Sequence, residues 1–154
     1  MSASTERVDE LLAAARDAME RGSYAPYSNF NVGAAVLAEG EVFAGANIEN
    51  ASYPMSVCAE RNAVAAAVNA GKRSIDAVAV VTRADEPTPP CGGCRQVLNE
   101  FGPDMTVTVE SGTGERAVWR LTEILPHAFG PSNLARGSGG SRSERERASG
   151  SPPA

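Results

Sequence analysis

Apolar residues near the amino terminus recur every three or four positions, which is the period of an amphipathic helix. This period predicts a first helix over residues 5–21, with Ser4 or Thr5 as its N-cap and Gly22 as its end. The apolar face of the helix comprises Val8, Leu11, Leu12, Ala15 and Met19. We expect a surface helix that packs this one face on the core.

Five short, largely apolar runs predict five strands. Residues 30–37 and 41–46 are joined by a short turn, so we expect a hairpin with both strands half-buried. Residues 75–82 are almost continuously apolar, which is typical of a central strand covered on both faces. Residues 105–109 and 117–121 are separated by a turn that contains glycine, and they complete the set.

Two further helices are predicted over residues 58–70 and 91–101, because a glycine follows each apolar-periodic run. A shorter helix begins with Thr122 as its cap and is ended by Pro126. Strands interleaved with helices are typical of α/β proteins. The pattern therefore predicts a three-layer α/β/α domain around a five-stranded mixed sheet.

Composition sets the domain boundaries. The chain has 154 residues, of which 42% are hydrophobic, enough for one domain with a proper core. Residues 135–154 consist almost entirely of Gly, Ser, Arg, Glu and Pro, and we expect them to form a disordered polar tail. The predicted domain is therefore residues 1–134.

The expected location is the cytoplasm. Acidic residues stand near the amino terminus without an apolar targeting segment, and no apolar run approaches the roughly 18 residues of a membrane helix. The chain has three cysteines, an odd number that fits a reduced metal site better than a disulfide framework.

Charge argues against a nucleic-acid partner. The formal net charge is −5, and the tail contributes four arginines and two glutamates, so residues 1–134 carry 10 basic and 17 acidic residues, a net −7. Proteins that bind nucleic acids usually present a basic stripe with interleaved aromatic residues, whereas only 5% of this chain is aromatic.

All three cysteines stand where the predicted helices begin. Cys58 opens one helix, and Cys91 and Cys94 stand one turn apart at the start of the next. Helix N-termini stabilise thiolates, which are the form that binds metals. Three protein ligands on a tetrahedral zinc leave one position for water, and Glu60 stands two residues after Cys58, where it can handle that water's protons. A His or Cys followed by x-Glu, and later Pro-Cys-x-x-Cys, is the general pattern of zinc-dependent nucleobase deaminases, and here Cys58 stands at the first position.

Two other interpretations of the cysteines are weighed against this one. A Cys-x-x-Cys pair can be a redox couple or half of a structural zinc knot, within a module that only binds a partner. A redox couple leaves Pro90, Cys58 and Glu60 unexplained. A structural knot needs a fourth ligand, and the only histidine, His127, lies in a carboxy-terminal segment where a surface or interface position is expected.

A polar turn precedes the first cysteine helix. Asn47 and Glu49 stand two residues apart at the end of a predicted strand, so their side chains point the same way and can face one ligand. A solvated surface turn is the plainer interpretation, and the nearby metal residues favour the functional one.

The sequence closely resembles the small homotetrameric zinc-dependent cytidine deaminases, from about residue 24 to about residue 134. The matching stretches are Ser28-Asn29-Phe30-Asn31-Val32-Gly33-Ala34-Ala35, Asn47-Ile48-Glu49-Asn50-Ala51, Cys58-Ala59-Glu60-Arg61, Pro90-Cys91-Gly92-Gly93-Cys94-Arg95-Gln96 and Phe129-Gly130-Pro131. The resemblance implies the same three-layer fold. It also implies hydrolytic deamination of cytidine and deoxycytidine by a zinc-bound hydroxide, in pyrimidine salvage.

The resemblance also implies a role for each matching residue. Zinc would be bound by Cys58, Cys91 and Cys94, with Glu60 as the proton shuttle and with Arg61 and Arg95 near the sulfurs, where they would offset the negative charge of three thiolates. The substrate would be held by Phe30 against the pyrimidine, by the backbone of Ala59 at the ring carbonyl, and by Asn47 and Glu49 at the ribose. Ala51, Tyr53 and Phe129 would act across a subunit interface, with Phe129 closing a neighbour's pocket.

Two features depart from the family pattern, namely His127, where a small residue is expected, and the long polar tail. The nearest alternative activity is that of a deaminase of the same fold acting on a cytosine-containing antibiotic such as blasticidin S. Asn47 and Glu49 favour a substrate with ribose hydroxyls.

Overall fold

The structure is a computed structural model that describes residues 4–137. It contains five strands and five α-helices over these residues. In chain order they are α1 (Thr5–Gly22), β1 (Val32–Ala38), β2 (Glu41–Ala46), α2 (Ala59–Asn69), β3 (Ile75–Thr82), α3 (Gly92–Phe101), β4 (Thr106–Glu110), β5 (Arg116–Arg120), α4 (Leu121–Ile124) and α5 (Pro131–Gly137), with a single 3₁₀ turn at Tyr53–Met55. Within the described range, no helix combines the length and the apolar character needed to cross a membrane.

The five strands form one mixed sheet, as predicted. Their order is β2-β1-β3-β4-β5, with β3 and β4 parallel and every other pair antiparallel. The parallel pair needs a crossover, and α3 provides it between β3 and β4. This crossover returns the chain to the sheet after the second cysteine stretch.

Helices cover both faces of the sheet, which gives the expected three layers. On one face α1 packs Leu11, Leu12, Ala15 and Met19 against alternate residues of β1 and β3. On the other face α2 and α3 pack against the intervening residues, including Val36, Val78, Val80, Val107 and Val109. The alternation follows from the two-residue period of a strand.

The prediction that β1 is half-buried is wrong. Six of its seven residues are buried, because β1 lies between β2 and β3 and is covered by α1 and α2. Gly33 shows how closely α1 approaches, since a Cβ atom at this position would lie 1.9 Å from the carbonyl oxygen of Ala15. Only glycine permits this contact between helix and strand.

Several element ends differ from the sequence predictions. Ser4, one of the two predicted caps of α1, accepts a hydrogen bond from the Arg7 N–H at 3.4 Å. Strand β1 begins at Val32 and not at residue 30, after Asn29 with its positive φ of 57°. The cap of α4 is Arg120 and not Thr122, because the Glu123 carboxylate accepts a hydrogen bond from the Arg120 backbone N–H at 2.6 Å.

The carboxy-terminal helix α5 was not predicted. It begins at Pro131, where proline is favoured because the first helical N–H needs no partner, and it runs to Gly137. The helix therefore extends three residues past the predicted domain boundary. The rest of the predicted polar tail, residues 138–154, lies outside the described residues.

Candidate zinc centre and substrate cleft

The starts of α2 and α3 bring the three cysteines together. Cys58 is the N-cap of α2, Cys91 is the N-cap of α3, and Cys94 lies one turn into α3. The Sγ atoms of Cys58 and Cys91 are 3.9 Å apart, those of Cys91 and Cys94 are 3.5 Å apart, and all three lie within 4.8 Å of one another. Sulfurs bound to a tetrahedral zinc at about 2.3 Å lie about 3.8 Å apart. The cysteine triad therefore suits zinc.

The triad already favours negative charge. The pKa of the Cys58 thiol is lowered to about 5, because the Cys94 thiol and the Arg61 guanidinium stabilise its thiolate. The Arg61 Nη2 atom lies 3.2 Å from the Cys58 sulfur. The pKa of Cys94 is raised, because Cys94 adjoins that thiolate and is buried. Because metal ligands must be deprotonated, a divalent cation bound here would displace the remaining thiol protons.

Glu60 lies beside the triad in the first turn of α2 and is buried, with 5% of its surface exposed. Burial raises the pKa of its carboxyl, and the negative charge at Cys58 raises it further. A carboxyl whose pKa moves toward neutrality can both accept and donate a proton under ordinary conditions. This is the electrostatic setting that a general acid/base needs.

A cleft of about 210 Å³ opens beside the triad and Glu60. Six of the residues that line it are predicted site residues, namely Phe30, Asn47, Cys58, Ala59, Glu60 and Cys91. Six more line it without having been assigned a role, namely Ser28, Val32, Val80, Thr82, Thr88 and Pro89. Val80 and Thr82 share one face of β3, so strand periodicity could have identified them. Thr88 and Pro89 lie in an irregular loop that gives no such signal.

Asn47 holds the chain that forms one wall of the cleft. Its Nδ2 atom donates to the Phe30 carbonyl at 2.7 Å, and its Oδ1 atom accepts from the Val32 N–H at 3.0 Å. The same oxygen accepts from the Ser23 hydroxyl at 2.6 Å. Asn47 thus supplies hydrogen bonds to Phe30 and Val32, where β1 begins.

Glu49 contacts the loop before β1 and is not among the residues that line the cleft. Its carboxylate accepts hydrogen bonds from the backbone N–H groups of Tyr27 and Ser28, at 3.2 Å each to Oε2. It also accepts from the Ser28 hydroxyl. Its described contacts are therefore with the loop before β1.

The three residues expected at a subunit interface lie outside the cleft of their own chain. Ala51 is exposed, Tyr53 is 70% exposed and Phe129 is 57% exposed. The Tyr53 ring lies 5.8 Å from the Tyr27 ring, measured between centroids. The Phe129 carbonyl accepts a hydrogen bond from Gln96 Nε2 at 2.8 Å, which attaches this segment to α3.

The two arginines expected near the sulfurs have different surroundings. Arg61 contacts Cys58, and its buried Nε atom has no hydrogen-bond partner among the described residues. Arg95 instead donates to the carbonyls of Pro90 and Ile124, at 2.8 and 2.7 Å. Its described hydrogen bonds therefore go to the backbone just before Cys91 and to α4, and not to sulfur.

Comparison with known proteins gives relatives over most of the domain. A protein from Sporosarcina psychrophila named cytidine deaminase is 44% identical over 130 residues, which cover 83% of this chain and 95% of that protein. A crystal structure of cytidine deaminase from Burkholderia pseudomallei shares 46% identity, with a TM-score of 0.75, over 79% of this chain and 98% of that one. The cytidine deaminase structure from Mycobacterium tuberculosis shares 39% identity, with a TM-score of 0.68, over 79% and 96% of the two chains.

The family model for the cytidine and deoxycytidylate deaminase zinc-binding region matches residues 5–110. This match spans α1 through β4 and contains the whole cysteine triad and Glu60. Together with the relatives in sequence and structure, it shows that the chain belongs to the cytidine and deoxycytidylate deaminase family.

Proposed function

We propose that this protein is a cytidine deaminase, which hydrolyses cytidine and deoxycytidine to uridine and deoxyuridine with release of ammonia, in pyrimidine salvage. The observation that carries the proposal is the convergence of three cysteine sulfurs within 4.8 Å beside the buried Glu60, at the end of a small cleft. The proposed setting is the cytoplasm, where a reducing environment keeps the three thiols available for metal.

Glu60 moves the protons of the proposed reaction. Cys58, Cys91 and Cys94 would hold a zinc ion, which would supply Lewis-acid activation of a water for attack on C4 of the ring. Glu60 accepts one proton from that water and passes it to ring N3. It then accepts the second proton from the hydroxyl now on C4 and delivers it to the amine, which leaves as ammonia when the C4–N bond breaks and the C4 carbonyl forms. A single carboxylate suffices because each transfer takes place within hydrogen-bond reach of the same pocket. The raised pKa of Glu60 suits it to work in both directions.

The walls of the cleft orient the nucleoside in this proposal. Phe30 packs against the pyrimidine, the backbone of Ala59 contacts the ring carbonyl, and Asn47 and Glu49 serve the ribose end. Asn47 and Glu49 also hold the loop before β1 through the hydrogen bonds described above. The proposed sugar-binding residues therefore also shape the wall that carries Phe30.

We further propose a homotetramer with shared active sites. Phe129 is a large, exposed aromatic residue, as are Tyr24, Tyr27 and Tyr53. Aromatic residues are enriched at protein–protein interfaces relative to the rest of the surface. Phe129 would close a neighbour's cleft, with Ala51 and Tyr53 on the same interface.

Within each chain, Arg61 would offset the negative charge of the three thiolates.

We expect that Glu60→Gln keeps zinc and the fold but loses at least about 100-fold to 10,000-fold in kcat, the range typical of removing a general acid/base. Turnover is followed by the loss of cytidine absorbance, and zinc is measured in the same samples. The matched control is Glu100→Gln, which changes an exposed glutamate of α3 in the same way. Near-normal turnover by Glu60→Gln would remove this residue from the mechanism.

Cytidine should be deaminated far faster than cytidine 5′-monophosphate at equal concentration. The domain carries −7, and each negative charge placed about 5 Å from the Glu49 carboxylate costs about 3 kcal/mol at an effective dielectric near 20, before screening by salt. Glu49→Gln should lower kcat/KM for cytidine. It should also reduce the ratio of kcat/KM for cytidine to kcat/KM for the monophosphate. Comparable kcat/KM values for cytidine and its monophosphate in the parent protein would contradict the nucleoside assignment.

Subunit mixing tests the shared site. A Phe129→Ala chain mixed with a Glu60→Gln chain should regain activity, because some clefts in mixed tetramers contain both Phe129 and Glu60. Native mass spectrometry verifies that subunits exchange, and each variant incubated alone serves as the control. Verified exchange without recovery would show that Phe129 does not complete a neighbour's cleft.

A further inference from the structure

Ser28 is a cleft residue to which the sequence assigned no role, and it contacts two residues of the proposed substrate site. Its backbone N–H lies 3.2 Å from Oε2 and 3.3 Å from Oε1 of Glu49. Its hydroxyl donates to Oε1 of the same carboxylate and accepts a hydrogen bond from the Phe30 N–H at 3.0 Å. One hydroxyl therefore connects the Glu49 carboxylate to the backbone of Phe30.

Phe30 depends on such contacts because it lies outside the sheet. Strand β1 begins at Val32, so the ladder hydrogen bonds begin beyond Phe30. Its N–H is bound by Ser28 and its carbonyl by Asn47, at 2.7 Å. The preceding residue, Asn29, has a left-handed φ of 57°, a conformation that asparagine adopts more readily than most residues. Side-chain hydrogen bonds therefore fix the backbone that presents the Phe30 ring.

Hydrogen bonds from the loop before β1 likewise hold the Glu49 carboxylate. Two backbone N–H groups, those of Tyr27 and Ser28, and one hydroxyl all donate to its carboxylate. Hydrogen bonds to an ionised carboxylate are stronger than those between neutral groups. The Ser28 hydroxyl thus has a strong acceptor, and this bond orients its oxygen to receive the Phe30 N–H.

We propose that Ser28 is a positioning residue that holds Glu49 and Phe30 at a fixed distance and orientation. The two residues can then bind the sugar and the ring of one nucleoside at the same time. The kinetic part of this inference rests on the proposed function. Neither residue touches the reacting C4–N bond in the proposed mechanism. Loss of the hydroxyl should therefore weaken binding of the ground state and the transition state alike, which raises KM and leaves kcat nearly unchanged.

The first test compares Ser28→Ala, which removes the hydroxyl, with Ser28→Thr, which retains it. We expect Ser28→Ala to raise KM for cytidine about tenfold with kcat within about twofold, whereas Ser28→Thr stays close to the parent. The matched control is Ser4→Ala, which removes a serine hydroxyl that caps α1 and does not line the cleft. An unchanged KM in Ser28→Ala, or an equal rise in Ser4→Ala, would overturn the proposal.

A second comparison tests whether Ser28 acts through Glu49. 2′,3′-Dideoxycytidine lacks the ribose hydroxyls assigned to Glu49, so the KM penalty of Ser28→Ala should be smaller with it than with cytidine. The Ser28→Ala/Glu49→Gln double variant should resemble Glu49→Gln alone, because residues that act as a unit are not additive. Equal penalties on the two substrates, or fully additive effects, would show that Ser28 does not act through Glu49.

A third readout is independent of activity. Amide hydrogen exchange at Phe30, followed by NMR, should be faster in Ser28→Ala than in the parent and close to the parent value in Ser28→Thr, because the Phe30 N–H loses its acceptor only in the alanine variant. Equal exchange in all three proteins would overturn the positioning role. If the parent failed to deaminate cytidine, the proposed function would fall, and this measurement would still decide whether Ser28 holds Phe30.

Discussion

The convergence of two helix starts at one end of the sheet is the constraint on which the site depends. Cys58 caps α2, and Cys91 caps α3, the helix of the crossover between the parallel strands β3 and β4. Because both helices pack on the same face of the sheet, their first turns meet. Three sulfurs and one buried carboxyl, from two separate stretches of the sequence, thereby come together.

A second set of contacts connects the cleft wall to the cysteine triad. Ile48 forms a parallel bridge with Tyr24 and an antiparallel bridge with Val57, the residue immediately before Cys58. Asn47 and Glu49, on either side of Ile48, hold the loop that carries Ser28 and Phe30. The backbone segment that leads to Cys58 thus also contacts the segment that shapes the cleft, so the proposed binding residues and the cysteine triad share one support.

The parts of the fold and of the candidate site that depend on residues close together in the chain could be predicted from the sequence. The sheet and the cysteine helices followed from apolar periodicity and from the glycines after the helices, and the metal site followed from spacing, because Cys91 and Cys94 are one helical turn apart. The full burial of β1 could not be predicted, since it depends on which strands flank it. The carbonyl partners of Arg95 could not be predicted, since the family resemblance places this residue only near the sulfurs and Ile124 is 29 positions away in the sequence. The role of Ser28 needs the three-dimensional proximity of Glu49, 21 positions away.

Zinc content per chain, measured by elemental analysis, tests most directly whether Cys58, Cys91 and Cys94 form one metal site. We expect one zinc per chain in the parent protein, little or none in Cys91→Ser, and one again in His127→Asn, which removes the chain's only histidine and keeps a residue that tolerates the left-handed backbone there. Full zinc occupancy in Cys91→Ser, or loss of zinc in His127→Asn, would contradict the three-cysteine centre.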